Sequence, residues 1–231
     1  MENIAKIYFI NLDTRPDRYE HFLQQCDYHS IDFLKIERFK AIDGNTYNFT
    51  DHELHLFKNV DYKFQPYAKK IMGNQLSHYY ILKEMIKKNY KYIIICQDDI
   101  IFKNNFANEI SNIINNIPYD AEIINIAFFK FASFSQFIPW DIQNNKDDHL
   151  LKKNTINDHI IVLNDTINPC SLGYIVTLQG ANNITKYFEN IGFRRATDWN
   201  FNEYLISKNI FYGSQIVLGT GNTSFKSDIF I

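Results

Sequence analysis

Gln97, Asp98 and Asp99 follow a run of five apolar residues, Tyr92-Ile93-Ile94-Ile95-Cys96. Two adjacent carboxylates at the end of a buried strand repel each other and lose hydration, so a positive partner must offset them. Oxygen donors with no Cys/His set nearby suit Mg2+ or Mn2+ better than zinc. Such a cation, bridging a diphosphate, would neutralise charge on a departing nucleotide. The competing reading is a turn with two solvated aspartates, since Asp is a common turn former. The apolar strand before the pair favours the metal.

Other residues have chemistry within reach. Arg15 and Arg18 lie one helical turn apart at a helix start, where they hold phosphate beside the N-terminal amides or make exposed salt bridges. Ser77 and His78 are adjacent, and neighbours on a helix do not face each other, so they form no nucleophile and base pair. A lone His in that setting reads first as a satisfied structural residue. Asp198-Trp199 follows Arg194-Arg195. Asp198 either caps a helix or takes a proton from an acceptor hydroxyl, with Trp199 as a stacking platform for a sugar. Asp228 is placed to complete a metal or acceptor site.

The elements that must position these groups alternate. Ile4 to Ile10 reads as a buried strand, followed by a helix to about Cys26 with Thr14 as N-cap and Pro16 in its first turn. A strand is expected at 33–39, closed by the turn Ala41-Ile42-Asp43-Gly44. Thr50 and Glu53 form a capping-box pattern for a short helix near 51–57. A long helix covers Ala68 to Asn89, with Gly73 as a kink or a close-approach position. After the strand at 92–96 come a helix at about 104–116 and a strand at 122–128. Residues 130–157 lack periodicity and read as a long, partly mobile loop. Strands at 159–163 and 173–178, helices at 180–190 and 198–208, and a strand pair near 210–218 complete the chain. This order predicts one α/β domain over 1–231 with a mostly parallel twisted sheet flanked by helices. Ligands of such sheets bind at the carboxyl ends of the strands, where Asn11–Arg18, Asp43-Gly44 and Gln97–Asp99 fall.

Six segments, in one order across residues 4 to 200, resemble the motifs of glycosyltransferase family 25. They are Ile7-Tyr8-Phe9-Ile10-Asn11-Leu12-Asp13 with Arg15 and Arg18, Phe39-Lys40-Ala41-Ile42-Asp43-Gly44, and Gly73-Asn74-Gln75-Leu76-Ser77-His78. Then come Ile94-Ile95-Cys96-Gln97-Asp98-Asp99-Ile100, Gly173-Tyr174-Ile175-Val176 with Gly180-Ala181, and Thr197-Asp198-Trp199. That family holds lipopolysaccharide galactosyltransferases and the collagen hydroxylysine glycosyltransferases. The resemblance implies a GT-A type fold, a UDP-hexose donor and Mn2+ (or Mg2+), and it favours functional roles for Arg18, Ser77, His78, Asp98 and Asp99. Under it Asp98 and Asp99 are expected to hold the metal, and Asp228, beyond the resembling segments, is the expected third ligand. Asn11, Leu12, Arg15, Arg18, Asp43, Ser77, His78, Gln97 and Asp98 are expected to bind the donor. Asp198 is expected to orient or deprotonate the acceptor, a collagen-like polypeptide by slight preference or a saccharide. Two departures stand out. Gln97 occupies a place usually held by Glu and adds no charge to the metal site, and Asn74 replaces a usual Cys. A non-catalytic carbohydrate-binding domain and a nucleotide-sugar hydrolase are the alternatives.

Bulk composition agrees. The chain has 231 residues, 45% hydrophobic and 16% aromatic, which is enough for a sizeable core. A net charge of -2 provides no field to recruit nucleic acid or membrane. The Lys-Lys pairs at 69–70, 87–88 and 152–153 read as solvated faces. Cys26, Cys96 and Cys170 lack metal spacing and read as reduced thiols. No signal peptide pattern and no membrane-length apolar segment is visible, so a cytoplasmic location is expected, in a bacterium or in a host cell if the gene is viral.

Overall fold

The computed structural model describes residues 3–61, 63–133, 136–139, 155–163 and 171–228. Strand β1 (Lys6–Asn11) leads into helix α1 (Pro16–Tyr28), and a 3-10 turn (Phe33–Lys35) precedes β2 (Ile36–Lys40). Helices α2 (Asp51–Leu56) and α3 (Ala68–Lys88) follow, then β3 (Tyr92–Gln97), β4 (Ile100–Phe102) and α4 (Phe106–Asn115). The second half contains β5 (Ile123–Asn125), β6 (Phe129–Ser133), β7 (Gln136–Pro139), β8 (Ile160–Val162) and β9 (Gly173–Thr177). It ends with α5 (Leu178–Ile191), α6 (Thr197–Ser207), β10 (Tyr212–Ser214) and β11 (Gly219–Gly221).

The central sheet has the order β2-β1-β3-β9-β5-β10-β8. It is mixed, which corrects the mostly parallel expectation. Across the described strands three pairings are parallel and five antiparallel. The reason is physical: an apolar run reports that both faces of a strand are covered, whereas direction is set by the connection. Helical crossovers keep β1, β2 and β3 parallel. Between β5 and β9 the described connection contains only strands, and β9 runs antiparallel to both β3 and β5.

Within the parallel part, Ile10 pairs with Gln97 and Asn11 with Lys40, so three strands finish level at one rim. Ile93, Ile94, Ile95 and Cys96 are fully buried, as the continuous apolar run requires. Helix α1 closes one face by stacking Phe22 on Phe9, ring centroids 4.2 Å apart. Helix α3 packs against α5 and α6 and against β1 and β2.

Two glycines set how closely the elements approach. A Cβ on Gly73 would fall 2.2 Å from the Ile42 carbonyl oxygen, and one on Gly44 would fall 1.6 Å from that of Lys69. Gly73 is therefore a close-approach position inside an unbroken α3. The contact presses the Asp43-Gly44 turn onto that helix.

Several local expectations change. Arg15, not Thr14, is the N-cap of α1 and makes no side-chain cap bond, while Pro16 takes the first turn. Within 130–157, β6 and β7 form an antiparallel pair, and the rest of that stretch up to 154 lies outside the described residues. The last two strands do not pair with each other: β10 joins the central sheet and β11 pairs with β4. The Thr50 and Glu53 capping box forms as expected.

Candidate active site

Beyond the rim where β1, β2 and β3 end lies a cleft of about 670 Å3. Leu12, Arg18, Asp43, Asn74, Gln97, Asp98, Asp99, Asp198, Trp199 and Asp228 all line it. Asn11 and Arg15 stand just behind its wall and hold lining groups in place.

The carboxylate pair occupies the turn between β3 and β4, so its backbone is tied into two sheets. Asp98 is buried and accepts from Asn11 Nδ2 at 2.7 Å and from Arg18 Nη1 at 3.1 Å. The same Arg18 nitrogen donates to Asp99 Oδ2 at 3.2 Å. Arg18 is itself buried on α1 and supplies the positive charge that two adjacent carboxylates require. Asn11 is oriented in turn by Arg38 Nε, which donates to its Oδ1 at 2.9 Å. Burial pushes the Asp98 carboxyl up, against the opposing pull of Asn11 and Arg18. It pushes Asp99 further, to about 6, despite Arg18. Asp99 Oδ1 is buried with no hydrogen-bond partner among the described residues.

The segment Asn222–Asp228 crosses the mouth of the cleft. Asn222 N–H donates to the Asp99 carbonyl at 2.8 Å. Arg15 Nη1 donates to both Asp228 oxygens, at 2.6 and 2.8 Å, and Arg18 Nη2 donates to the Lys226 carbonyl at 2.6 Å. Arg18 also lies 3.4 Å from Asp228 Oδ2. Phe225 packs under both guanidiniums, 5.6 and 5.4 Å from its ring centre. An anion and a carbonyl oxygen thus sit where the two arginines converge.

The opposite wall carries Asp198. Helix α6 starts at Thr197 after an Ala196 N-cap, so Asp198 is a first-turn residue and not the N-cap. Its Oδ1 accepts the neighbouring Trp199 N–H, at 2.9 Å, and burial raises its carboxyl to about 6. Trp199 is 44% exposed, with Arg195 stacked 5.8 Å from its ring. The loop before α6 is stapled by Asn200, whose Oδ1 accepts from the N–H groups of Arg194 and Arg195.

Ser77 and His78 do not reach the cleft, contrary to the donor-binding expectation. Ser77 Oγ accepts from Ile42 N–H at 2.9 Å and donates to the Gly73 carbonyl at 2.8 Å, joining α3 to the Asp43 turn. His78 is buried in an aromatic cluster, with Nδ1 2.6 Å from Tyr174 Oη and its ring stacked on Tyr174. Burial lowers it to about 3, so it is neutral. Their position in the motif positions the fold, one helical turn from the residue that does line the cleft, Asn74. Gln97 lines the wall, and its amide donates to Ser171 Oγ at 2.9 Å. Asp43 accepts the N–H of Asn45, a turn that leaves it facing the cleft. The sequence pattern missed the contributions of Thr197 and of Phe225; Asn74 was visible only as a departure from the motif. Cys26 and Cys96 are free and buried, and Cys170 lies outside the described residues.

The cleft thus brings together a carboxylate pair at a strand end, the Arg18 guanidinium and the separate carboxylates of Asp198 and Asp228, with Arg15 behind its wall. The profile of glycosyltransferase family 25 (LPS biosynthesis protein) matches residues 4–199, and the chain belongs to that family. A glycosyltransferase 25 family member of Aedes aegypti is 30% identical over 123 residues, covering 49% of this chain and 19% of its own. Human procollagen galactosyltransferase 2 is 26% identical over 117 residues, covering 48% of this chain and 18% of its own. A family member from Anopheles gambiae is 24% identical over 196 residues, 80% of this chain and 29% of its own. The chain therefore spans less than a third of the length of these relatives. Mouse xyloside xylosyltransferase 1 superposes on 91% of the chain and 75% of its own at a TM-score of 0.41 and 10% identity. Among the described residues no helix is long and apolar enough to cross a membrane.

Proposed function

We propose that this cleft transfers a hexose, glucose or galactose, from a UDP-sugar to an acceptor hydroxyl, on a GT-A type scaffold. The observation that carries the reading is the convergence of Arg15 and Arg18 on an oxygen-rich anion beside Asp98 and Asp99. Two guanidiniums that already hold a carboxylate and a carbonyl suit a diphosphate. Leu12 and Asp43 would flank the nucleoside, with Asn11 holding Asp98 in register and Gln97 closing the wall.

A divalent cation fits part of this donor set. Asp99 Oδ1 is a buried carboxylate oxygen without a hydrogen-bond partner among the described residues, and the nearby ligands are hard oxygens, as Mn2+ and Mg2+ prefer. Among the described residues no three His, Cys, Asp or Glu side chains form a cage, so the diphosphate would have to complete the coordination. Asp99 would hold the cation, with Asp98 beside it and Asp228 once the arginines release it. When bound, the cation would stabilise charge on the departing UDP.

Asp198 would accept the proton of the attacking hydroxyl. Its raised carboxyl, with no ion pair among the described residues, suits it to act as a base. Trp199 offers an exposed ring for an acceptor sugar or a lysine-derived side chain. A collagen-like hydroxylysine or its galactosyl form is the preferred acceptor; the name of the human relative, procollagen galactosyltransferase 2, supports the collagen part of that reading. A lipopolysaccharide-type saccharide is the alternative. The buried free thiols Cys26 and Cys96 suit a reducing, cytosol-like compartment.

The test is incubation with Mn2+ and UDP-galactose or UDP-glucose, with and without hydroxylysine-containing peptide or saccharide acceptors. Acceptor-dependent UDP release is expected. Equal release without acceptor would instead make the protein a hydrolase, and no release with intact UDP binding would make it a binding domain.

A further inference from the structure

Asn74 stands where the wall of the cleft passes from the Asp43 turn to Asp198. It sits on α3 directly after Gly73, whose missing Cβ lets the helix press on Ile42 and Gly44, so the Asn74 backbone has little room to shift. Its side-chain oxygen is committed: Thr197 Oγ1 donates to Asn74 Oδ1 at 2.8 Å, and Thr197 is buried. An amide whose oxygen is tethered has its nitrogen, and both N–H donors, turned the other way. Asn74 lines the cleft, as does Asp198, the residue next to the tether.

The wall therefore presents a fixed amide donor and a carboxylate acceptor on neighbouring positions. A fixed amide donor matches a sugar hydroxyl, whose oxygen accepts a hydrogen bond, and it leaves Asp198 to the attacking hydroxyl. A thiol at the same position would supply only a weak donor.

On this basis we infer that Asn74 is a specificity-determining residue, its Nδ2 donating to a hydroxyl of the transferred hexose while Thr197 holds the amide in that orientation. The inference rests on the UDP-hexose reading and assigns the hexose a contact separate from those of the UDP moiety.

Calorimetry with UDP, UDP-galactose and UDP-glucose in Mn2+ tests it. Asn74→Leu keeps the side-chain shape and removes the donors. Its affinity for UDP should match wild type, while at least one UDP-hexose loses about 3- to 10-fold, the worth of one neutral hydrogen bond. Thr197→Val, which leaves the amide but frees it to turn, should shift the same ligand in the same direction by a smaller factor. Deoxy-hexose analogues of that ligand supply an independent arm: removing the contacted hydroxyl should weaken wild type but not Asn74→Leu. An unchanged ratio of UDP-hexose to UDP affinity in Asn74→Leu overturns the role of Asn74 and leaves the donor reading intact. Should Asn74→Leu not fold, full additivity of Thr197→Val with every deoxy analogue overturns it equally. Wild type that binds neither UDP nor UDP-hexose overturns both readings.

Discussion

Arg18 is one residue with two duties, and the two separate under mutation. Buried between Asp98 and Asp99, it neutralises them, so Arg18→Ala leaves carboxylates uncompensated and should destabilise the fold by about 3–5 kcal/mol. Millimolar Mn2+ should restore part of the lost melting temperature if Asp98 and Asp99 accept a cation, and thermal melts with and without EDTA read this directly. Asp198 makes a pH forecast. Its carboxyl is raised to about 6 in the folded chain from an ordinary value near 3.8, so the protonated form is favoured by folding. The associated stability is complete below the ordinary carboxylate range and is lost as pH rises through about 6. Asp198→Asn should therefore melt higher than wild type at pH 7.5, with the advantage gone near pH 4. In catalysis the sign reverses: the ionised form is the base, so wild-type transfer should fall as pH drops through about 6. Asp198→Asn should lower kcat by roughly 10²–10⁴ while UDP affinity holds. A flat pH profile, or a kcat within twofold of wild type, would remove Asp198 from the chemistry.

Between elements, the tightest constraint is the contact of α3 with the Asp43-Gly44 turn. Gly44 meets the Lys69 carbonyl and Gly73 meets that of Ile42, both backbone atoms that cannot swing aside. Gly44→Ala should thus separate the turn from the helix, lowering the melting temperature and weakening UDP binding together, because Asp43 moves with the turn. An exposed control far from the cleft, Tyr119→Ala, should change neither. Ser77 belongs to the same joint, since its hydroxyl bonds both partners. A loss of melting temperature in Gly44→Ala with unchanged UDP affinity would place Asp43 outside the nucleoside site.

For the molecule as a whole, the segment from Asn222 to Asp228 closes a loop between the last strand and the first helix. Through it, β11, α1 and the β3–β4 turn share one charge network. Asp228 and a donor diphosphate would compete for the same guanidiniums. Asp228→Asn should therefore tighten UDP binding in EDTA, where no cation needs the carboxylate, while lowering transfer in Mn2+. Unaltered UDP affinity at low ionic strength would show that the arginines engage the donor without giving up Asp228.

Most elements were written locally. The Thr50 and Glu53 capping box, the apolar period of Ala68–Lys88 and the β-branched run before Gln97 each depend on near neighbours, and each appears as read. The ordered motifs around Asn11, Asp43, Asp98 and Asp198 likewise identified the family, since a family's motif order survives in sequence alone. What only the tertiary structure decided involves partners far apart in the chain. Whether β9 runs with or against β3 depends on how the chain returns, not on its apolar residues. That Ser77 and His78 support the fold while Asn74 faces the cleft depends on which side of one helix meets Thr197, 123 residues away. And the cation that offsets Asp98 and Asp99 in this structure is Arg18, because a helix 80 residues earlier brings a guanidinium into hydrogen-bond range. Electrostatic compensation acts through space, and no spacing along the chain records it.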